Sequence, residues 1–176
     1  MTSPHHLVVM GVSGTGKTTV GEALAARLGL TFIEGDSKHP PANIAKMSAG
    51  TPLDDDDRRP WLEILGSLLA SHHADGASTV LTCSALKRAY RDILRADVPA
   101  GSVSFVHLAA PFEVLRERME SREHFMPASL LQSQFDTLEP LAPDEAGEVF
   151  DVTPPADEVI AAVQRFVCDR PAENTP

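Results

Sequence analysis

Basic residues are scarce in this chain. Lysine plus arginine total 15 against 25 aspartates and glutamates in 176 residues, for a formal net charge of −10. Polyanions are held chiefly by clustered cations, so this balance argues against a general nucleic-acid or anionic-membrane binder. An anionic ligand would need a local basic patch. Cysteine is scarcer still: Cys83 and Cys168 are too few for a disulfide framework and lack metal-ligand spacing, which fits a reduced, cytoplasmic setting. No apolar stretch approaches the length of a membrane span. The first residues run directly into a strand-like segment and a glycine-rich loop, leaving no room for a signal peptide. Internal repeats and low-complexity tracts are missing as well. What is there, 43% hydrophobic and 23% charged, suits a soluble globular chain with a sizeable core. A single domain is expected over residues 1–170, with a frayed tail at 171–176.

The sharpest signal is GVSGTGKT at Gly11 to Thr18, which fits the phosphate-cradling pattern G-x-x-x-x-G-K-[ST]. Gly11, Gly14 and Gly16 let the backbone take turns that a side chain would obstruct. Successive N–H groups from Val12, Ser13 and Thr15 onward to Thr19 then turn inward on a polyphosphate, with a helix N-terminus behind them. In that pattern Lys17 reaches the β- and γ-phosphates and Thr18 places its hydroxyl on Mg²⁺. The context agrees. His6–Met10 is an apolar run suited to a buried strand, and Val20, Leu24 and Leu28 recur on one helical face before Gly29 stops it.

Beyond the loop, β-rich runs at 6–12, 31–34, 79–83, 102–108 and 148–152 alternate with helices starting near Lys17, Asp57, Leu86, Pro111 and Pro127, and with a last helix around Val159–Val167. This alternation predicts an α/β fold of three layers, with a five-stranded parallel sheet, helices on both faces and ligands at the carboxyl ends of the strands. A short helix is expected near 43–48. Asp56 or Asp57 is expected to cap the helix over 58–73, with Pro60 in its first turn. Ser84 is expected to cap the helix after the third strand.

Polar residues that follow predicted strands are candidates for acceptor chemistry. Glu34 and Asp36 flank Gly35 after the second strand, and alternate side chains there face one way. Asp36 is read as the base on the acceptor side and Glu34 as a group holding Mg²⁺ through water. His39 beside them can donate hydrogen bonds to a polyol or carboxylate. Asp54–Asp57 precede Arg58-Arg59, and cations at a helix's positive end are easier to explain if one of them faces an anion. Lys87, Arg88 and Arg91 form a basic patch at the ligand edge, read as binding an anionic acceptor, although Asp92 and Asp97 can pair with some of them. Arg118 and Arg122 are four apart with no acid at helical spacing, which suits a triphosphate between them. The segment 118–139 then forms a helical lid that excludes water. Cys83 reads as a small packed residue.

These residues resemble the gluconokinase family of P-loop small-molecule kinases, relatives of shikimate and adenylate kinases. The resemblance runs from the first strand to about Glu139. It rests on GVSGTGKTT, on GD-x-x-HP at 35–40, on N-I-x-K-M with G-x-PL-x-DDDR-x-PWL through Leu62, on CSALKR-x-YRD-x-LR at 83–95, and on HFMP-x-x-LL-x-SQF-x-TLEPL at 124–141. It implies transfer of the γ-phosphate of ATP, with Mg²⁺, to the 6-hydroxyl of D-gluconate, a cytoplasmic location and a homodimer. It also implies that His124 contacts substrate. The family's R-x-G-H-F lid motif here reads Arg122-Glu123-His124-Phe125, one residue shorter and without the glycine. Competing readings are another acceptor (shikimate, a different sugar acid or a nucleotide), a GTPase switch, or a non-catalytic nucleotide-binding partner. The switch lacks its N-K-x-D signature, and the last is disfavoured by intact Lys17, Thr18 and Asp36.

Overall fold

In the computed structural model residues 3–121 and 127–169 are described. The first strand, β1 (His6–Met10), is buried along its whole length. It lies at the centre of a parallel five-stranded sheet with β2 (Thr31–Glu34), β3 (Thr79–Thr82), β4 (Val103–Ala109) and β5 (Gly147–Asp151) in the order β2-β3-β1-β4-β5. A strand covered on both faces has no solvated side, so it reads as a continuous apolar run instead of an alternating one.

The alternation reappears in what each side chain packs against. Leu7 and Val9 point to one core, with Val20 and Leu24 of α1 (Lys17–Leu28) and Val159, Ile160 and Val163 of α7 (Ala156–Cys168). Val8 and Met10 point to the other, with Trp61, Leu62, Leu65 and Leu69 of α3 (Asp55–Ala74) and Leu94 of α4 (Arg88–Arg95). Burial of each such leucine contributes roughly 2 kcal/mol. The remaining helices are α2 (Pro41–Ser48), α5 (Phe112–Glu120) and α6 (Ala128–Thr137). The expected three-layer architecture and strand count are those observed. β1 has β3 on one side and β4 on the other: the connection from β1 runs toward β2, and the one from β3 crosses back past β1 to β4. That is where open parallel sheets bind ligands.

Three local expectations are corrected. The cap of α3 is Asp54: its carboxylate accepts from the Asp57 amide at 2.8 Å, and Asp57 accepts in return from the Asp54 amide at 3.0 Å. The helix therefore starts earlier than expected, and Pro60 falls in its second turn. Ser84 caps nothing: α4 begins at Arg88, after an extended Lys87. Leu130 and Leu131 of α6 are buried, so the second half of the expected lid packs onto the body of the protein. The expected tail at 171–176 lies outside the described residues.

Candidate active site

The glycine loop connects β1 to α1. Gly16, the residue before α1, has φ 86°, a left-handed conformation that a side chain would strain. Thr15 Oγ1 donates to the Val12 carbonyl at 2.9 Å, and Lys17 Nζ donates to the same oxygen at 3.1 Å. The Gly11 amide donates to the Ser84 carbonyl, which ties the loop to the end of β3. A pocket of about 220 Å³ opens beside the loop, lined by Gly14, Thr15, Gly16 and Thr19, by Arg118 of α5, and by Val152, Pro154, Ala156 and Val159. Arg118 donates to the Val152 carbonyl at 2.5 Å. It thus lines the same pocket as the glycine loop, between that loop and the segment after β5. Its expected companion Arg122, like His124, lies outside the described residues.

The ends of β2 and β3 and the start of α1 are joined by hydrogen bonds. Thr18 Oγ1 donates to Glu34 Oε2 at 2.7 Å, the Thr82 hydroxyl donates to Glu34 Oε1, and the Gly35 amide donates to Thr82 Oγ1 at 3.1 Å. Trp61 Nε1 reaches up from α3 to the Gly35 carbonyl at 2.8 Å. Asp36 follows at once in a 3-10 turn, Asp36–Lys38, with its carboxylate largely in solvent. His39 is stacked on the Trp61 indole, centroids 4.0 Å apart, and its Nε2 lies 3.9 Å from Asp36 Oδ1. Burial holds the His39 imidazole below its ordinary pKa; Asp36 opposes that shift and Arg58 adds to it.

Thr18 and Glu34 offer oxygen donors, the chemistry that Mg²⁺ takes. Among the described residues no group of three or more His, Cys, Asp or Glu is arranged to hold a metal. A Mg²⁺ ion here would depend on phosphate and water for its other ligands, which is its usual habit.

A second cleft, about 580 Å³, is lined by Leu53, Asp54, Asp55, Asp56, Arg58, Lys87 and Thr137. Of the two arginines left open by the sequence, Arg58 is buried and faces this cleft, whereas Arg59 is exposed. Arg58 Nη1 donates to Tyr90 Oη at 3.1 Å, and the Tyr90 hydroxyl donates to Asp55. Lys87 Nζ donates to both Asp55 oxygens at 2.9 and 3.1 Å. Asp55 is held below the usual carboxylate range, chiefly by Lys87 and then by Tyr90.

The basic patch read from the sequence divides. Lys87 reaches the cleft. Arg88 is turned to Asp144, with two contacts of 2.7 Å. Arg91 does not face the ligand edge at all. Its side chain is fully buried, bidentate to Glu145 at 2.8 Å, and donates to the carbonyls of Ala85, Glu139 and Pro140. Burial alone would raise the Glu145 carboxyl, but Arg91 and the Ala142 amide hold it below its ordinary value. A guanidinium with five donors suits the carbonyl-rich segment that leads to β5. Sequence spacing carries no information about that long-range pairing.

Cys83 is the packed residue it was expected to be. Burial pushes its thiol up to about 12, opposed by a hydrogen bond from the Ala85 backbone. Two polar participants escaped the sequence reading, Tyr90 and Gln134. Tyr90 stood inside the quoted YRD segment, and a lone tyrosine between charged residues was a usable signal. Gln134 of α6 accepts the Ser13 amide at 2.7 Å and donates to Ser13 Oγ at 3.0 Å.

A glycine cradle at the switch point of a parallel sheet, with a separate cation-bearing cleft along the same edge, defines the P-loop kinases that act on small molecules. Residues 7–141 match the family described as AAA domain. The gluconokinase of Gluconobacter oxydans (strain 621H) is 56% identical over 144 residues, 81% of this chain and 79% of that protein. A sugar kinase from Janibacter sp. HTCC2649, solved without ligand, superposes with a TM-score of 0.89 at 50% identity, covering 98% of this chain and 99% of that one. A gluconokinase from Sinorhizobium meliloti 1021 gives 0.82 at 47% identity, covering 96% and 98%. The chain belongs to the gluconokinase family.

Proposed function

We propose that the protein transfers the γ-phosphate of ATP to the 6-hydroxyl of D-gluconate, giving 6-phospho-D-gluconate and ADP. The observation that carries this reading is the hydrogen-bond chain Thr18–Glu34–Thr82–Gly35, which couples the phosphate cradle to the residue preceding Asp36. The amides from Gly14 to Thr19, with Lys17, hold the phosphates; those of Gly11 and Ser13 are taken by the Ser84 carbonyl and by Gln134. The apolar pocket beside Arg118 takes the nucleoside, whose flat base suits a guanidinium above it. Lys87 and Arg58 attract the gluconate carboxylate, and Asp54–Asp56 accept from its hydroxyls. Asp36 takes the proton of the attacking hydroxyl, and neutral His39 donates a hydrogen bond beside it. Arg88 contributes through the Asp144 pair at the rim, and Arg91 contributes only by holding the fold. Thr18 and, through water, Glu34 would hold Mg²⁺, which when bound neutralises charge on the transferring phosphate. Little covalent work falls to the protein: positioning and charge stabilisation do most of it.

Arg122 and His124 complete the expected set from the segment between α5 and α6. The same resemblance implies a homodimer in the cytoplasm, and light scattering on purified protein tests the first part. The deciding experiment is a coupled ADP-release assay across gluconate, other sugar acids and shikimate, with and without Mg²⁺. Magnesium-dependent turnover with gluconate is expected. A folded protein that releases no ADP with gluconate overturns the proposal.

A further inference from the structure

Ser13 sits between Gly11 and Gly14 of the phosphate cradle, and its polar groups are bracketed by one side chain. Gln134 Oε1 accepts the Ser13 amide at 2.7 Å, while Gln134 Nε2 donates to Ser13 Oγ at 3.0 Å. The contact joins residues 121 positions apart. Backbone N–H groups of such a loop normally turn toward phosphate, so a side-chain carbonyl that claims one of them fixes where that end of the loop can go.

The bracket comes from an element that also touches the acceptor side. Thr137, three residues after Gln134 and therefore on the same face of α6, lines the 580 Å³ cleft. Just past α6, the Glu139 amide donates to the Leu86 carbonyl at 2.7 Å, and Glu139 Oε2 accepts the Arg88 amide at 2.8 Å. These contacts anchor the end of α6 beside Lys87. The middle of α6 is held by Leu130 and Leu131 in the core and by Phe135 edge-on to Phe112 of α5. On the far side of the loop a Cβ at Gly14 would meet the Met119 side chain at 3.1 Å, so α5 backs it closely. The cradle is thus wedged between α5 and Gln134.

We infer that Gln134 is a positioning residue for phosphoryl transfer: by bracketing Ser13 from a helix that also borders the acceptor cleft, it fixes the distance between the two bound substrates. This rests on the kinase reading above. In-line transfer needs the attacking oxygen and the phosphorus in near contact, and a misplacement of about 1 Å can cost around a hundredfold in rate. Each substrate still binds its own half-site when the bracket is lost, so the defect belongs in kcat.

The test compares wild type, Gln134→Ala, the size-matched Gln134→Met, Ser13→Ala and the Gln134→Met/Ser13→Ala double variant in steady-state kinetics with gluconate. ADP binding is followed by calorimetry and stability by thermal melting. Both Gln134 variants are expected to lose about tenfold to a hundredfold in kcat, with melting temperature, ADP affinity and the KM for gluconate close to wild type. The double variant is expected to lose less than the product of its two single losses, because the residues act through one contact. Wild-type kcat in Gln134→Met overturns the inference. So does a defect confined to KM for gluconate, or strict multiplicativity with Ser13→Ala. If wild type itself turned over no gluconate, the functional proposal would fail first, a result separable from any of these.

Discussion

The Trp61 indole nitrogen donates to the Gly35 carbonyl at 2.8 Å, and it does so from inside the core, where Trp61 is almost wholly buried. One side chain therefore packs α3 against the sheet, supports His39 on its ring and fixes the peptide that precedes Asp36. The position of Gly35 follows from contact. A Cβ built there would lie 1.9 Å from the Thr82 carbonyl oxygen. Gly35→Ala is expected to cost about 3 kcal/mol of stability and to depress kcat by displacing Asp36. Urea denaturation with kinetics checks it, and a variant of normal stability and activity would mean that the strand end yields freely.

Asp36 is the base of the proposed transfer; its carboxylate is largely exposed, with His39 beside it. Asp36→Asn keeps the shape and removes the proton acceptor. Turnover should fall by about 10²- to 10⁴-fold with ATP affinity unchanged. An unaltered kcat would take Asp36 out of the chemistry.

Arg118 lines the pocket proposed for the nucleoside and donates to the Val152 carbonyl. Arg118→Ala should therefore raise the KM for ATP, by an amount equivalent to roughly 1–2 kcal/mol, more than it slows transfer. A pure kcat effect would return Arg118 to the phosphates.

Arg91 and Glu145 are both removed from solvent. Truncating one partner leaves the other charged and unpaired, which costs about 3–5 kcal/mol. Arg91→Ala is accordingly a stability variant, to be read by urea unfolding, with the KM for gluconate retained. Wild-type stability with a weakened acceptor KM would contradict the buried pairing.

His6 lies fully buried at the opposite edge of the sheet, hydrogen-bonded to Thr79 Oγ1 at 2.8 Å and 3.2 Å from His73 Nδ1. Burial first, then His73, His5 and His72, lower its pKa from 6.5 to about 4. The folded protein keeps His6 neutral while the unfolded chain protonates near 6.5. Its contribution is thus fully present above pH 6.5 and is lost as the pH falls toward 4, by about 3 kcal/mol. Denaturant unfolding across that window should show the decline, and His6→Gln should flatten it. An identical slope in the variant would point to other groups.

Much of this architecture could be read from residue order. The strand positions agreed to within one or two residues because buried parallel strands are continuous apolar runs. The exception in kind was the patch at 87–91, where three cations at one helix start looked equivalent. Lys87 meets the cleft, Arg88 meets Asp144 and Arg91 meets Glu145, more than fifty residues away. Gln134 stood in the quoted SQF motif without a role for the same reason: a polar residue on an amphipathic helix announces a surface, and nothing nearby in sequence names Ser13 as its partner.

The sequence by itself determined the phosphate cradle and the layered parallel sheet, because each depends on local backbone geometry or on short-range periodicity. Tertiary structure alone decided which cations see the cleft, which are walled in, and that Gln134 meets Ser13. Those outcomes depend on burial and on pairings between distant segments, and charge type and spacing leave both undetermined until the chain has packed.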